Sequence, residues 1–310
     1  MARGGVTMLI RDIEYYLDVR RATGFGLKTQ ERLLRNYAAF ADERHEVYVT
    51  VDTAVEWAER VPAQHRRAIR LAVVTHFARF MKAQDERYEI PPDGVFARCY
   101  SRRVPYIFSE SEIEGLIDRA RRLPPEGSLR THTYATLFSL LAVTGMRISE
   151  ALALRLDDLT RDGLLIRKTK FKKSRIIPLH ETAVSALRDY ISHRLKHGGN
   201  DPHLFVSQRK KRMGYMAVHP VFRQLCDAAG IVGAPGGPRP CLHSFRHTFA
   251  TRALESCVGN RDQVDRHMRA LTTYLGHAHV KSTYWYLDST PQMMRDIADA
   301  VEAFVKGDPE

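Results

Sequence analysis

At 310 residues the chain exceeds what one hydrophobic core usually supports, and its net charge of +12 favours polyanionic partners, nucleic acid first. It contains no run of about eighteen apolar residues and no charged-then-apolar leader with a cleavage site, so neither a membrane-spanning nor a secreted protein is expected, and the expected compartment is the cytoplasm. Cys99, Cys226, Cys241 and Cys257 form no C-x-x-C pair, and the histidines lack both H-E-x-x-H spacing and a carboxylate cluster, which predicts no disulfide framework, metal or cofactor.

Helical periodicity runs through Met8 to Arg20, Lys28 to Ala41, Asp52 to Arg60 and His65 to Lys82, predicting a small all-α domain over residues 1–90. In the last stretch Ile69, Val73, Phe77 and Phe80 recur as a core face, while Arg66, Arg67 and Arg70 gather on another side as a basic surface for a DNA backbone. From Pro91-Pro92-Asp93-Gly94 onward the periodicity is lost and Arg98, Arg102 and Arg103 accumulate, so residues 91–105 are expected to be a basic, DNA-contacting linker and 106–310 a second domain.

In that second domain Ser109 and Glu112 have capping-box spacing ahead of Ile113, Leu116 and Ile117, which places a helix start there. Thr133 to Val143 reads as a buried helix stopped at Gly145, with a restart at Ser149, so Arg147 falls at a sharp interhelical turn where a guanidinium and free amides meet an anion. Leu164 to Lys168 and Arg175 to Leu179 are β-prone and joined by a lysine-rich turn, the pattern of a hairpin. Helices are expected over Glu181 to Leu195 and Val218 to Ala229, then a Gly/Pro-rich loop from Gly230 to Pro240. A helix from Ser244 to Leu254 carries Arg246 and His247 in its first turns, where the helix dipole favours phosphate. A final helix, Pro291 to Val305, has an apolar face of Met294, Ile297, Val301 and Phe304.

The chemistry concentrates in the order Arg147, Lys170, His243, Arg246, His277, Tyr286. Arginine matches two phosphate oxygens with a planar fork, imidazole exchanges protons near neutrality, and a phenol supplies an oxygen nucleophile. Thr144-Gly145-Met146-Arg147-Ile148-Ser149-Glu150 with Leu154, the H-x-x-R-H box from His243 to His247, Leu275-Gly276-His277, and a tyrosine nine residues beyond His277 together resemble the catalytic domain of the tyrosine recombinases, the lambda-integrase family, over roughly residues 104–294.

That resemblance implies a SAM-like helical core-binding domain followed by a mainly α catalytic domain with a small β-hairpin, the two clamping double-stranded DNA. It implies site-specific cleavage and rejoining through a 3′-phosphotyrosine, without metal or cofactor. Arg147 and Arg246 would hold the nonbridging oxygens, His277 would add a hydrogen bond, and Lys170 would protonate the departing 5′ oxygen, with Lys168, Lys172 and Lys173 close enough to compete for that role. Lys172 and Lys173 are otherwise expected DNA contacts. His243 would assist proton transfer. Tyr284 and Tyr286 lie about 200° apart on a helix, so one of them packs; family spacing selects Tyr286. Family members also imply a homo- or hetero-tetramer on paired sites, joined through the last helix, and a nucleoid-associated location. Extra length around Val258 to Arg269 resembles the transposon-associated branch. A type IB topoisomerase and a catalytically silent DNA-binding relative are the competing readings.

Overall fold

The structure, a computed structural model, describes residues 7–97, 104–167, 174–197, 199–256 and 261–276. The chain divides into two compact units, Met1–Arg102 and Arg103–Glu310.

Among the described residues the first unit has four helices, α1 (Met8–Ala22), α2 (Lys28–Asp42), α3 (Val51–Glu59) and α4 (Gln64–Lys82). Thr7 caps α1 by accepting from the Ile10 amide, and Thr50 caps α3 by accepting from the Thr53 amide. Leu9, Ile13, Leu17, Leu34, Tyr37, Trp57, Val74, Phe77 and Tyr88 form the core, and Phe96 packs against its edge. The core face of α4 is shifted from the sequence expectation. Ala68, Leu71, Val74, Phe77, Ala78 and Met81 are buried, whereas Ile69 is 42% exposed and Val73 and Phe80 are only partly covered. The small side chains Ala68 and Ala78 allow close approach, so they occupy the seam that a ranking by hydrophobicity gives to larger residues.

The second unit opens with α5 (Glu110–Arg121), started by the reciprocal capping box of Ser109 and Glu112. Next comes α6 (Leu129–Thr144), then the single turn α7 (Ile148–Ala151), begun one residue earlier than its sequence suggests. A three-stranded antiparallel sheet follows in the order β1 (Leu159–Thr160), β2 (Gly163–Ile166), β3 (Arg175–Ile177). Leu164 pairs with Ile177 and Ile166 with Arg175, which turns Leu164, Ile166 and Ile177 into the core and leaves Ile176 outside. β1 is too short to carry a periodic signal and is absent from the sequence reading.

The remaining helices among the described residues are α8 (Glu181–His197), α9 (Tyr215–Ala228), α10 (Ser244–Glu255) and α11 (Arg261–Leu275). Phe108, Phe138, Phe222 and Phe245 meet at the centre, with ring centroids 5.0–6.5 Å apart. α11 lays Met268, Leu271 and Leu275 on Ala250 and Leu254 of α10. The segment expected to be extra length is thus, over residues 261–269, the opening of a packed helix that delivers the Leu275-Gly276 turn.

Candidate active site

The site is built where three chain turns meet. α6 ends because Gly145 takes the left-handed conformation, φ +57°, with its amide bonded to the Leu141 carbonyl. A Cβ at this position would also sit 2.5 Å from the Phe249 ring. Both constraints demand glycine, and the resulting turn places Arg147 at the start of α7.

Glu150, 8% exposed, organises the charges around that turn. Its carboxylate accepts from the Arg147 amide at 3.0 Å, from Arg147 Nη1 at 2.9 Å, and from both terminal nitrogens of Arg175 at 3.0 and 2.8 Å. Burial opposes ionisation, but the bonds from Arg175 and the Arg147 amide outweigh it and hold the carboxyl below its ordinary 4.5. Arg175, at the first position of β3, also donates Nε to the Tyr274 carbonyl at 2.9 Å. One arginine thereby ties the hairpin, the Arg147 turn and the end of α11 together.

Arg246 completes the convergence. Its side chain is buried in the first turn of α10, donating Nη1 to the Gly145 carbonyl at 3.0 Å and Nη2 to the Leu275 carbonyl at 2.6 Å. Arg147 Nη2 reaches the Gly276 carbonyl at 3.4 Å. Arg147 and Arg175 share the Glu150 carboxylate, while Arg246 donates to two neutral carbonyls, which leave its positive charge in place. Three guanidinium groups thus converge on these turns.

His243 stands at the N-terminal edge of α10, in edge-to-face contact with His247 at 4.6 Å. Loss of hydration, then the charges of Arg246 and Arg147, pull its pKa from 6.5 to about 4. His243 is nonetheless open to solvent on one side. Tyr274, a further phenol beside the network, stacks on Phe249 at 5.4 Å and has its pKa raised to about 12 by burial.

Of the six expected catalytic residues, Arg147, His243 and Arg246 are brought together, with the residue preceding His277 in the same network. Lys170, His277 and Tyr286 lie outside the described residues, as do Tyr284, Arg102, Arg103, Lys172, Lys173 and the expected last helix. In the first unit Arg66 is exposed; Arg67 Nε donates to the Val61 carbonyl at 2.7 Å, and Arg70 lies 3.8 Å over Trp57. Sequence reasoning missed Glu150 and Arg175 as charge partners. The first stood in the SE of the arginine motif and the second in the R-x-x-P-L ending, so the signal was present but read only as a landmark. Among the described residues no group of three or more His, Cys, Asp or Glu is placed to hold a metal, and no helix is long and apolar enough to cross a membrane.

Residues 107–293 match the model of the phage integrase family. The chain is 37% identical to y4rB of Sinorhizobium fredii, an integrase/recombinase by name, over 94% of this chain and 96% of that protein. It is 34% identical to tyrosine recombinase XerD of Caulobacter vibrioides, over 71% and 69%. A transposon Tn1549 integrase solved in complex with transposon right end DNA shares the fold at a TM-score of 0.61 and 19% identity, covering 93% of this chain and 99% of that one.

The chain belongs to the phage integrase family, the tyrosine recombinases. It is a DNA strand transferase of site-specific recombination, with the helical and three-stranded-sheet architecture of that class.

Proposed function

We propose that this recombinase cuts DNA by attack of the Tyr286 phenolic oxygen on a phosphodiester, breaking the bond to the 5′ oxygen and leaving a 3′-phosphotyrosine. The phenol gives its proton to His243 and the departing oxygen takes one from Lys170. Arg147, Arg246 and His277 hold the nonbridging oxygens, whose charge grows in the pentacoordinate state. The covalent link conserves the phosphodiester, so a 5′ hydroxyl from a partner strand reverses the chemistry and rejoins DNA without ATP.

The observation that supports this reading most is the single Arg246 guanidinium bonded to the carbonyls of both Gly145 and Leu275. It joins the turn bearing Arg147 to the turn immediately preceding His277, three sequence motifs drawn to one point. His243 at a pKa of about 4 is neutral at physiological pH and free to accept. A phosphodiester between the arginines offsets part of their field and raises the imidazole's proton affinity when it is needed.

We further infer a mobile-element substrate and a homo- or hetero-tetramer on paired sites joined through the C-terminal segment, with the helical unit and the linker holding duplex DNA in the nucleoid. Trapping on a nicked suicide duplex tests the chemistry. Wild type and Tyr284→Phe should yield protein-linked 3′ ends and Tyr286→Phe none; an adduct with Tyr286→Phe would overturn the assignment. Supercoil relaxation without strand exchange between two sites would assign the protein to topoisomerase chemistry instead.

A further inference from the structure

Three guanidinium groups crowd two buried rings in the first unit. Arg44 and Arg60 lie 3.7 and 4.2 Å over Phe40, and Arg70 lies 3.8 Å over Trp57. They are not equivalent. Arg44 is neutralised by Glu56 and also donates to the Phe40 carbonyl. Among the described residues, neither Arg60 nor Arg70 has a carboxylate within ion-pair reach, although the exposed Glu43 stands at the rim of the same cavity. Arg70 Nε is enclosed without a hydrogen-bond acceptor. Desolvation, then the neighbouring charge of Arg60, lowers the Arg70 pKa, so the two cations act on each other unfavourably.

Arg60 and Arg70 open onto a cavity of about 230 Å³ walled by Phe40, Trp57 and Asn36. Asn36 Oδ1 accepts from Trp57 Nε1 at 3.0 Å, which orients the amide and leaves its NH2 group free to donate. Aromatic faces hold the two forks in fixed planes, so little side-chain freedom remains to be lost on binding. Like charges held together, a buried donor lacking an acceptor and an adjacent cavity describe a site completed by an anion.

We propose that Arg60, Arg70 and Asn36 form a phosphoryl-anion site on the helical unit, separate from the catalytic arginines. A tetrahedral phosphoryl group offers the several acceptor oxygens that two forks and an amide require, and a 230 Å³ space admits it. The group comes either from a DNA backbone, which rests on the recombinase reading, or from a free phosphorylated solute, which does not.

The test uses the full chain in a Trp285→Phe background, so that Trp57 is the remaining tryptophan. Inorganic phosphate titrated at constant ionic strength should give a saturable fluorescence change that chloride does not, lost in Arg70→Ala and in the exposed-site variant Arg60→Ala. A response unchanged in both folded variants, or a chloride response equal to that of phosphate, overturns the proposal. Duplex affinity measured against salt then separates the sources. For a DNA phosphate, Arg60→Ala lowers the slope of log K against log salt by about one and weakens unrelated sequences equally. A slope unchanged beside an intact phosphate response assigns the site to a free phosphoryl ligand. Failure of the Tyr286 trapping experiment leaves the phosphate titration untouched, so the two readings fail separately.

Discussion

The helical unit and the recombinase site spend their buried volume differently. The former encloses Leu34, Tyr37, Trp57 and Phe77, while its ion pairs, such as Arg21 with Glu31, stay at the surface. The latter buries Glu150 and Arg246. Surface pairs are solvated with or without a partner, whereas a buried charge stripped of its partner has no water to replace it. A fold can therefore be stabilised by hydrocarbon, whereas the candidate site encloses guanidinium groups that lean on the Glu150 carboxylate and on the carbonyls of Gly145, Tyr274 and Leu275.

Glu150→Ala should be the most damaging change, destabilising the protein by about 3–5 kcal/mol in denaturant unfolding because Arg147 and Arg175 lose their shared counterion. Leu34→Ala should cost about 2–5 kcal/mol by leaving a cavity. If the apolar truncation proved far costlier than the carboxylate deletion, the contrast between the two regions would fail.

Gly145→Ala is expected to cost more than the roughly 1–2 kcal/mol of a left-handed alanine, since its Cβ also meets the Phe249 ring. Gly145→Ala with Phe249→Ala should recover only the steric part in a double-mutant cycle.

Acidification sharpens the comparison further. His243 holds its neutral form down to about pH 4, while the unfolded chain takes that proton near 6.5. The unfolded state binds more protons across that window, so stability falls as pH drops from 6.5 toward 4. His132, lowered by burial and then by His193 and His197, acts in the same direction. Thermal unfolding of His243→Asn across this range should show a shallower pH slope than wild type. Ser109→Ala, which removes one cap, should cost about 1 kcal/mol. Glu31→Gln should leave Tm unchanged, and a clear shift would show that surface pairs matter more here than the comparison allows.

Local signals made much of the described fold legible. The helices of the first unit lie within a few residues of their periodicity, and the Ser109 box and the Gly145 stop read directly because capping and left-handed turns are written in neighbouring residues. The motifs likewise placed Arg147, Arg246 and His243 in a common centre. Glu150 and Arg175, 25 residues apart, became partners only through the antiparallel register that sets Arg175 opposite Ile166. The seam of α4 escaped for a related reason: which side of a helix is covered depends on how closely its neighbours approach, and Ala68 and Ala78 decide that.

The two carbonyls that receive Arg246 lie 101 and 29 positions away from it along the chain, on opposite sides. During synthesis the earlier turn and the arginine leave the ribosome before Leu275 does, and until that last turn arrives the guanidinium lacks its Leu275 anchor. A chain that stops short of Leu275 therefore lacks the carbonyl through which Arg246 joins the end of α11 to the Gly145 turn.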